Sequence, residues 1–460
     1  MQLKTDIEKP PRIPARVWRI AAVTGAGAFM AMLDSTVANL ALETIRADFG
    51  ATLPVVQWVA SGYLIALAVS LPATGWLGTR FGYGRVWAAS LLIFVAASIL
   101  CALAPGPSSL IAARFIQGLG AGLMVPAGQA VIGATAERNQ LGRLMGVLGL
   151  VVALGPALGP AVGGFLLEAV SWRWLFWINV PIGLAALLAA RGLVPPGARD
   201  TGRTLDLYGL ALLVFGLPLL LYAATETGTG KISIGLMTAC LLGAGLVAAF
   251  VVHALRTPRP LIDFKPIRRP AFAAAMATAG LTGVNMYGGL LLVPLYLQLP
   301  VAQGAGETGL MLLAMGLGSA FVLPVAGTLT DRHGPGLVAL AGAALLVATT
   351  LPFLAPEPLP VSFLAAALIV RGAGLALAQM PAMTAAYAAV SAEEMGDAAT
   401  LVNVAQRIGG ATGAILVVVL LSRIDTGAYG AAFAALTAVS LATLGTAAWL
   451  RRHTRQARTG

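Results

Sequence analysis

Long apolar runs broken by short polar stretches dominate this chain, and their lengths point to membrane-crossing helices. Runs of spanning length fall at 18–43, 54–78, 86–104, 108–133, 141–169, 174–192, 206–225, 232–254, 271–298, 307–329, 337–355, 361–388, 397–422 and 428–450. Each holds close to the ~20 residues that carry a helix across a hydrocarbon layer of about 30 Å. Helices satisfy every backbone group internally, which lipid demands. The pattern predicts an all-α polytopic membrane protein with fourteen transmembrane helices and both termini on one side.

Loop charge says which side that is. Of the 29 Lys and Arg, Arg46, Arg173, Lys231 and Arg423 fall in loops on one face, and Arg114, Arg371 and Arg407 fall inside spans. All the others lie on the face that carries the termini. The positive-inside rule makes that face cytoplasmic, so the expected location is the cytoplasmic membrane. The net charge of +11 is then orientation and lipid-headgroup contact, with no nucleic-acid partner. At 58% hydrophobic and 10% charged residues, the composition excludes an ordinary soluble protein, where charge runs near 25%. Cys101 and Cys240 sit in apolar runs and give no disulfide framework, and three unclustered histidines give no metal site. Gly230-Lys231 echoes a phosphate loop, but Thr225 and Ile232 occupy its first-glycine and Ser/Thr positions. With no nucleotide, cofactor or metal site and no metalloprotease pair or nucleophile elbow, the chain reads as no enzyme.

One residue breaks the apolar rule of the first span. Asp34 lies about 20 Å along a helix starting near Ile20. An ionised group at that depth costs several kcal/mol unless it faces protein or water, so it marks function by default. Gly27, Ala31, Ala38 and Ala41 share its face, and Phe29, Leu33 and Leu40 take the opposite, lipid-directed side. The alternative is an Asp that only hydrogen-bonds Ser35 and Thr36 and bends the helix. Arg114 shares its own face with Gly118 and Ala121 and also points inward, where a guanidinium needs a carboxylate or several carbonyls. Arg371 and Arg407 have small neighbours in the same way and read as inward-facing.

An internal repeat sets the architecture. Gly75-Trp-Leu-Gly-Thr79-Arg80-Phe-Gly82 returns as Gly327-Thr-Leu-Thr-Asp331-Arg332-His-Gly334, offset by 252 residues. Six-helix halves need only about 190–200 residues, which leaves room for two inserted helices. The predicted organisation is a tail at 1–17, a six-helix bundle at 18–192, two inserted helices with basic linkers at 193–270, a second bundle at 271–450 and a tail at 451–460. Such repeats are typical of transporters that alternate access around a central site.

With these residues in view, the chain resembles the major facilitator superfamily, and within it the fourteen-helix drug:proton antiporters. The resemblance runs along nearly the whole chain. Its parts are Leu33-Asp34-Ser-Thr-Val-Ala-Asn39-Leu-Ala-Leu42, where Glu43 replaces the usual closing proline, and the Gly75 to Arg85 stretch. Arg114-Phe-Ile-Gln117-Gly118-Leu-Gly120, Gly155-Pro156-Ala-Leu-Gly159-Pro160-Ala-Val-Gly163-Gly164, Ser171-Trp172-Arg173 through Asn179 to Gly183, and Val293-Pro294-Leu-Tyr296-Leu-Gln298 complete it. The resemblance implies proton coupling at Asp34 with Arg114 as its partner. It implies sealing of one side of the pathway by the Gly155–Gly164 helix, whose glycines recur every fourth residue and admit another backbone. It further implies a latch between the halves built on Gly75, Arg80, Gly82, Arg85, Asp331 and Arg332, in which Thr79 stands where an acid is usual. Arg407 joins this conformational set. Asp34, Asn39 and Gln117 join the substrate-contacting set. Trp58, Tyr63, Asn285, Tyr287, Tyr296 and Gln298 fit cavity lining and fit interhelical packing or interfacial anchoring equally well.

The expected function is a monomeric, proton-coupled antiporter that exports small amphipathic, cationic drugs or antibiotics. The rivals are an exporter of one endogenous metabolite, antibiotic or lipid, anionic included, and a non-transporting sensor or scaffold.

Overall fold

The computed structural model describes residues 13–137, 139–200, 202, 204–227, 234–298, 301, 305–355, 359–423 and 428–459. All regular structure among them is helical. The first half runs through α1 (Ala15–Leu40), the short α2 (Leu42–Phe49), α3 (Leu53–Ser70), α4 (Thr74–Phe81), α5 (Tyr83–Ala102), α6 (Pro107–Thr135), α7 (Leu141–Ala169), the one-turn α8 (Trp174–Trp177) and α9 (Asn179–Leu193). Two helices follow, α10 (Leu207–Thr227) and α11 (Ile234–Arg256). The second half holds α12 (Pro270–Gln298), α13 (Ala305–His333), α14 (Pro335–Thr350), α15 (Val361–Ala388), α16 (Met395–Arg423) and α17 (Ala428–Thr459).

Twelve spans among the described residues are long and apolar enough to cross a membrane. The apolar runs Leu141–Val152 in α7 and Leu207–Leu220 in α10 are shorter, although their helices have 29 and 21 residues. Within the first half α6 packs on α3 and α5, and α1 lies against α6, α7 and α9. In the second half α12 packs on α16 and α17, and α15 on α13 and α14. Helices α10 and α11 pair with each other, and α10 also touches α3 and α16.

The two halves meet along α7. Its first glycines face the second half: a Cβ on Gly146 would lie 2.7 Å from the Leu323 carbonyl oxygen, and one on Gly149 2.8 Å from Met380 Sδ. Its later glycines face α1: Cβ atoms on Gly155 and Gly159 would lie 2.6 Å from Met32 Cβ and Thr36 Cγ2. The expected glycine groove is therefore occupied by the helix that carries Asp34. A Cβ on Gly164 would meet nothing within 4 Å. The side chains of Pro156 and Pro160 lie outside the described residues. Leu33 departs from its lipid-facing assignment. It is 3% exposed, because α7 crosses α1 at this level and the Gly155 site reaches the Leu33 backbone nitrogen. Leu40 is exposed as expected.

The hydrogen bonds between halves cluster toward the end that bears the basic loops. Asp331 accepts from the Gly142 N–H at 2.9 Å and from the Arg143 N–H and Nε at 3.1 and 3.0 Å, so it caps the N-terminus of α7 while pairing with a guanidinium. Deeper in, Gln129 Oε1 accepts from Tyr387 at 3.1 Å and Asn403 at 2.7 Å. The two copies of the repeated motif turn alike, with φ of +94° at Gly82 and +90° at Gly334. A Cβ at Gly82 would also sit 2.1 Å from the Pro196 carbonyl oxygen. Gly82→Ala is expected to cost about 1–3 kcal/mol and lower the melting temperature in detergent. Gly164→Ala, where the added methyl has room, should leave that temperature unchanged or slightly higher.

Candidate functional site

Asp34 is 3% exposed, and each of its carboxylate oxygens is hydrogen-bonded. Arg114 Nη1 donates to Oδ2, while Gln117 Nε2 and Asn179 Nδ2 each donate to Oδ1 at 2.9 Å. Helices α1, α6 and α9 thus converge on one carboxylate. The small face of α1 makes this approach possible. A Cβ on Gly27 would press on Met124 Sδ at 2.9 Å, and Ala31, Ala38 and Ala41 are buried.

A second ring of bonds holds the first in place. Arg114 is 1% exposed, sends Nε to the Val59 carbonyl at 3.0 Å and shares Nη1 with Gln117 Oε1 at 2.6 Å. Its guanidinium lies over the Tyr63 ring at 4.2 Å and nearer the edge of range over Phe176 at 5.6 Å. Tyr63 donates its hydroxyl proton to the Ala31 carbonyl at 3.1 Å, which ties α3 to α1 one turn from the acid. Ser98 accepts from Gln117 at 2.8 Å and passes its own proton to the Phe94 carbonyl at 2.8 Å. A fully bonded pair of this kind is held together by its partners. Removing one member leaves a buried charge uncompensated, at a cost of about 3–5 kcal/mol.

The structure therefore brings Asp34, Arg114, Gln117 and Tyr63 together and leaves the other candidates elsewhere. Gln117 is fully buried beside the acid, and Tyr63 serves as a platform for Arg114. Trp58 is 51% exposed on α3, and Tyr287 is exposed and packs over Gly410. Tyr296 belongs to an aromatic cluster with Phe353, Tyr429 and Phe433. Gln298 is exposed at the end of α12, and the side chain of Asn39 lies outside the described residues. Asn179 and Ser98, which complete the site, were absent from the sequence-based candidates. Asn179 carried a signal, since it falls inside the Trp172–Gly183 motif. Ser98 carried only that of a hydroxyl in an apolar span.

Asn285 sits at the centre of a second network, which holds an arginine but no acid among the described residues. It stands, to within one residue, where the 252-residue repeat would place Asp34, and Thr350 stands one repeat from Ser98. Its Oδ1 accepts from Ser440 at 2.6 Å, and its backbone carbonyl accepts from Arg371 at 3.1 Å. Arg371 also donates to Thr350 at 2.6 Å. Where the first half pairs an arginine with an acid, the second offers a backbone carbonyl and a hydroxyl.

Of the conformational candidates, Asp331 holds the inter-half contact described above, and Arg332 is exposed. Arg80 is partly buried, and Arg85 is exposed and bonded to the Phe81 carbonyl at 3.1 Å. Thr79 turns back to the Gly75 carbonyl at 2.9 Å. A Cβ on Gly75 would lie 2.5 Å from Asp397 Oδ1, so α4 and α16 touch there. Arg407 lines a cavity between α3, α10 and α16.

The profile described as Major Facilitator Superfamily matches residues 24–414 and again 278–459. The chain belongs to the Major Facilitator Superfamily. Among members of that superfamily it is 36% identical over 420 residues to a "Multidrug resistance protein B homolog" of Mycobacterium tuberculosis, covering 90% of this chain and 78% of the other. It is 34% identical over 429 residues to the "Puromycin resistance protein pur8" of Streptomyces alboniger, covering 91% and 83%. A solved double-tryptophan variant of XylE shares the superfamily fold with a TM-score of 0.69 at 14% identity, with 94% of each chain covered.

The Asp34 network makes a stability prediction. Arg114→Met alone should lower unfolding stability by about 3–5 kcal/mol, and the double variant Asp34→Leu with Arg114→Met should lose less than that single change. Chemical unfolding in mixed micelles measures both. A single-variant loss below about 1 kcal/mol would mean that the pair is solvated rather than buried.

Proposed function

We propose that this transporter is a proton-coupled antiporter that exports small amphipathic, drug-like compounds by alternating access. It has fourteen spans, with α7 and α10 counted among them, both termini cytoplasmic, and works as a monomer in the cytoplasmic membrane. The observation that carries the reading is Asp34 held by Arg114, Gln117 and Asn179 in the body of the first half. The names of the relatives, multidrug and puromycin resistance, support a drug-like cargo.

The coupling runs through charge and then through packing. Protonation of Asp34 cancels the charge that holds Arg114, and the guanidinium must then find other acceptors or move. Either response shifts α1 against α6. Met32 and Thr36, two residues either side of Asp34, are the groups seated in the Gly155 and Gly159 sites of α7. A shift of α1 is therefore a shift of α7, and the start of α7 is where Asp331 ties the halves. The contacts of Asp331 and Gln129 between the halves lie toward the basic end, which in this reading is the cytoplasmic side and is closed while the site is open to the outside. A proton arriving from outside would loosen the pair, and its loss to the cytoplasm would restore it. One charge moved across 100 mV supplies about 2.3 kcal/mol, and each pH unit about 1.4 kcal/mol. Cationic cargo fits this cycle, because a cation and a proton then compete for one carboxylate that Arg114 occupies when neither is bound.

A second reading, export of an amphipathic anion, is favoured by one observation: the charged residue lining the cavity between α3, α10 and α16 is Arg407. Proteoliposomes with an imposed pH gradient separate the two when offered cationic, neutral and anionic amphiphiles. Wild-type protein should concentrate a cationic compound against its gradient. Asp34→Asn should abolish uphill transport while the protein remains monodisperse. Uphill transport by Asp34→Asn at the wild-type rate would remove Asp34 from the coupling.

A further inference from the structure

Three arginines lie inside apolar spans, and two of them hydrogen-bond to the protein. Arg114 has Asp34, and Arg371 has the Asn285 carbonyl and the Thr350 hydroxyl. Arg407 makes no hydrogen bond or ion pair among the described residues; its Nε is shielded from solvent without a partner, as that of Arg371 is, but Arg371 has two bonds through its other nitrogens and Arg407 has none. It lies about 18 Å along α16 from Met395, near half the depth of a bilayer. It lines a cavity walled by Leu71 after α3, Leu217 and Leu220 of α10, and Ile408, Thr412 and Ile415 of α16. None of the lining residues is acidic. Thr412 has already given its hydroxyl proton to the Ile408 carbonyl at 2.8 Å.

We propose that this chamber binds an amphipathic anion, with its acidic group on the Arg407 guanidinium and its apolar body against the leucines of α10. Arg407 is partly buried, and a guanidinium with no protein partner beside apolar walls gains from an acceptor of opposite charge. The guanidinium fork matches a carboxylate or phosphate in two parallel bonds. The apolar walls select a ligand with a hydrocarbon or aromatic body over a small inorganic ion. Helix α10 thereby acquires a function as the wall of a binding chamber that α3 and α16 alone would leave open along their seam. The anion is either a water-borne amphiphile or the phosphate of a lipid.

The inference shares its ligand class with the anion-export reading and is independent of proton coupling; binding is measured at equilibrium with no proton gradient, so its failure leaves the role of Asp34 untouched. The test uses the full chain in nanodiscs of zwitterionic lipid, titrated with a fluorescent fatty carboxylate and with the matched quaternary ammonium. The carboxylate should bind saturably and at least about tenfold tighter than the ammonium. Arg407→Met should weaken it by about tenfold or more, and Arg407→Lys should restore part of the loss. Leu220→Trp, which fills the chamber from α10 without touching the charge, should weaken it as well. Equal binding of the two probes, or carboxylate binding unchanged in a monodisperse Arg407→Met protein, would overturn the proposal. Adding phosphatidylglycerol to the nanodiscs separates the sources. Displacement of the probe assigns the site to a lipid phosphate, and retention assigns it to a soluble amphiphile.

Discussion

A carboxylate and a guanidinium sealed together inside the first bundle constrain everything around them. Neither Asp34 nor Arg114 can be charged alone at that depth without a penalty of several kcal/mol. Helices α1, α3, α5, α6 and α9 are therefore committed to the positions that supply Val59, Ser98, Gln117 and Asn179. The same penalty makes the site responsive. A single proton on Asp34 changes the balance of the whole cluster, whereas a proton on a surface acid such as Glu43 changes only an exposed pair with Arg46.

Glycine spacing turns that local balance into a long-range one. Along α7, Gly142, Gly146 and Gly149 meet the second half, and Gly155, Gly159 and Gly163 meet α1. One helix is in backbone-close contact with the acid-bearing helix at one end and with the inter-half latch at the other. Close packing of this kind has no slack to absorb a shift. Under the proposed cycle, α7 works as a stiff strut.

Much of this was legible in the residues. The all-helical fold and twelve of the fourteen expected spans followed from hydropathy, and the inward faces of Asp34 and Arg114 from their small neighbours. What escaped was information held by third parties. Leu33 reads as lipid-facing on α1 alone and becomes buried only because α7 crosses it. Ser98 and Asn179 have ordinary neighbours in sequence and acquire their role by where α5 and α9 place them. Tyr63, Asn285 and Trp58 were indistinguishable as polar or aromatic residues in apolar spans, yet the structure assigns them a guanidinium platform, the centre of a second network and an exposed surface. Arg407 could be recognised as inward-facing, but not as the intramembrane arginine without a protein partner among the described residues.

The differences between the halves are as informative as their repeat. Where the first half has Asp34 the second has Asn285, so the bonds Arg371 makes among the described residues go to a neutral carbonyl and a hydroxyl. Where the second half has Asp331 capping α7, the first has Thr79 folded back on its own helix, and the counterpart contact with α16 is built differently. Gly75 lets Asp397 of α16 approach, and Gly396 leaves room for the Tyr83 hydroxyl. Titratable charge is thus concentrated on one bundle's interior and on the other bundle's latch. Under the proposed cycle the first half senses the proton and the second holds or releases the gate, with α7 as the element common to both.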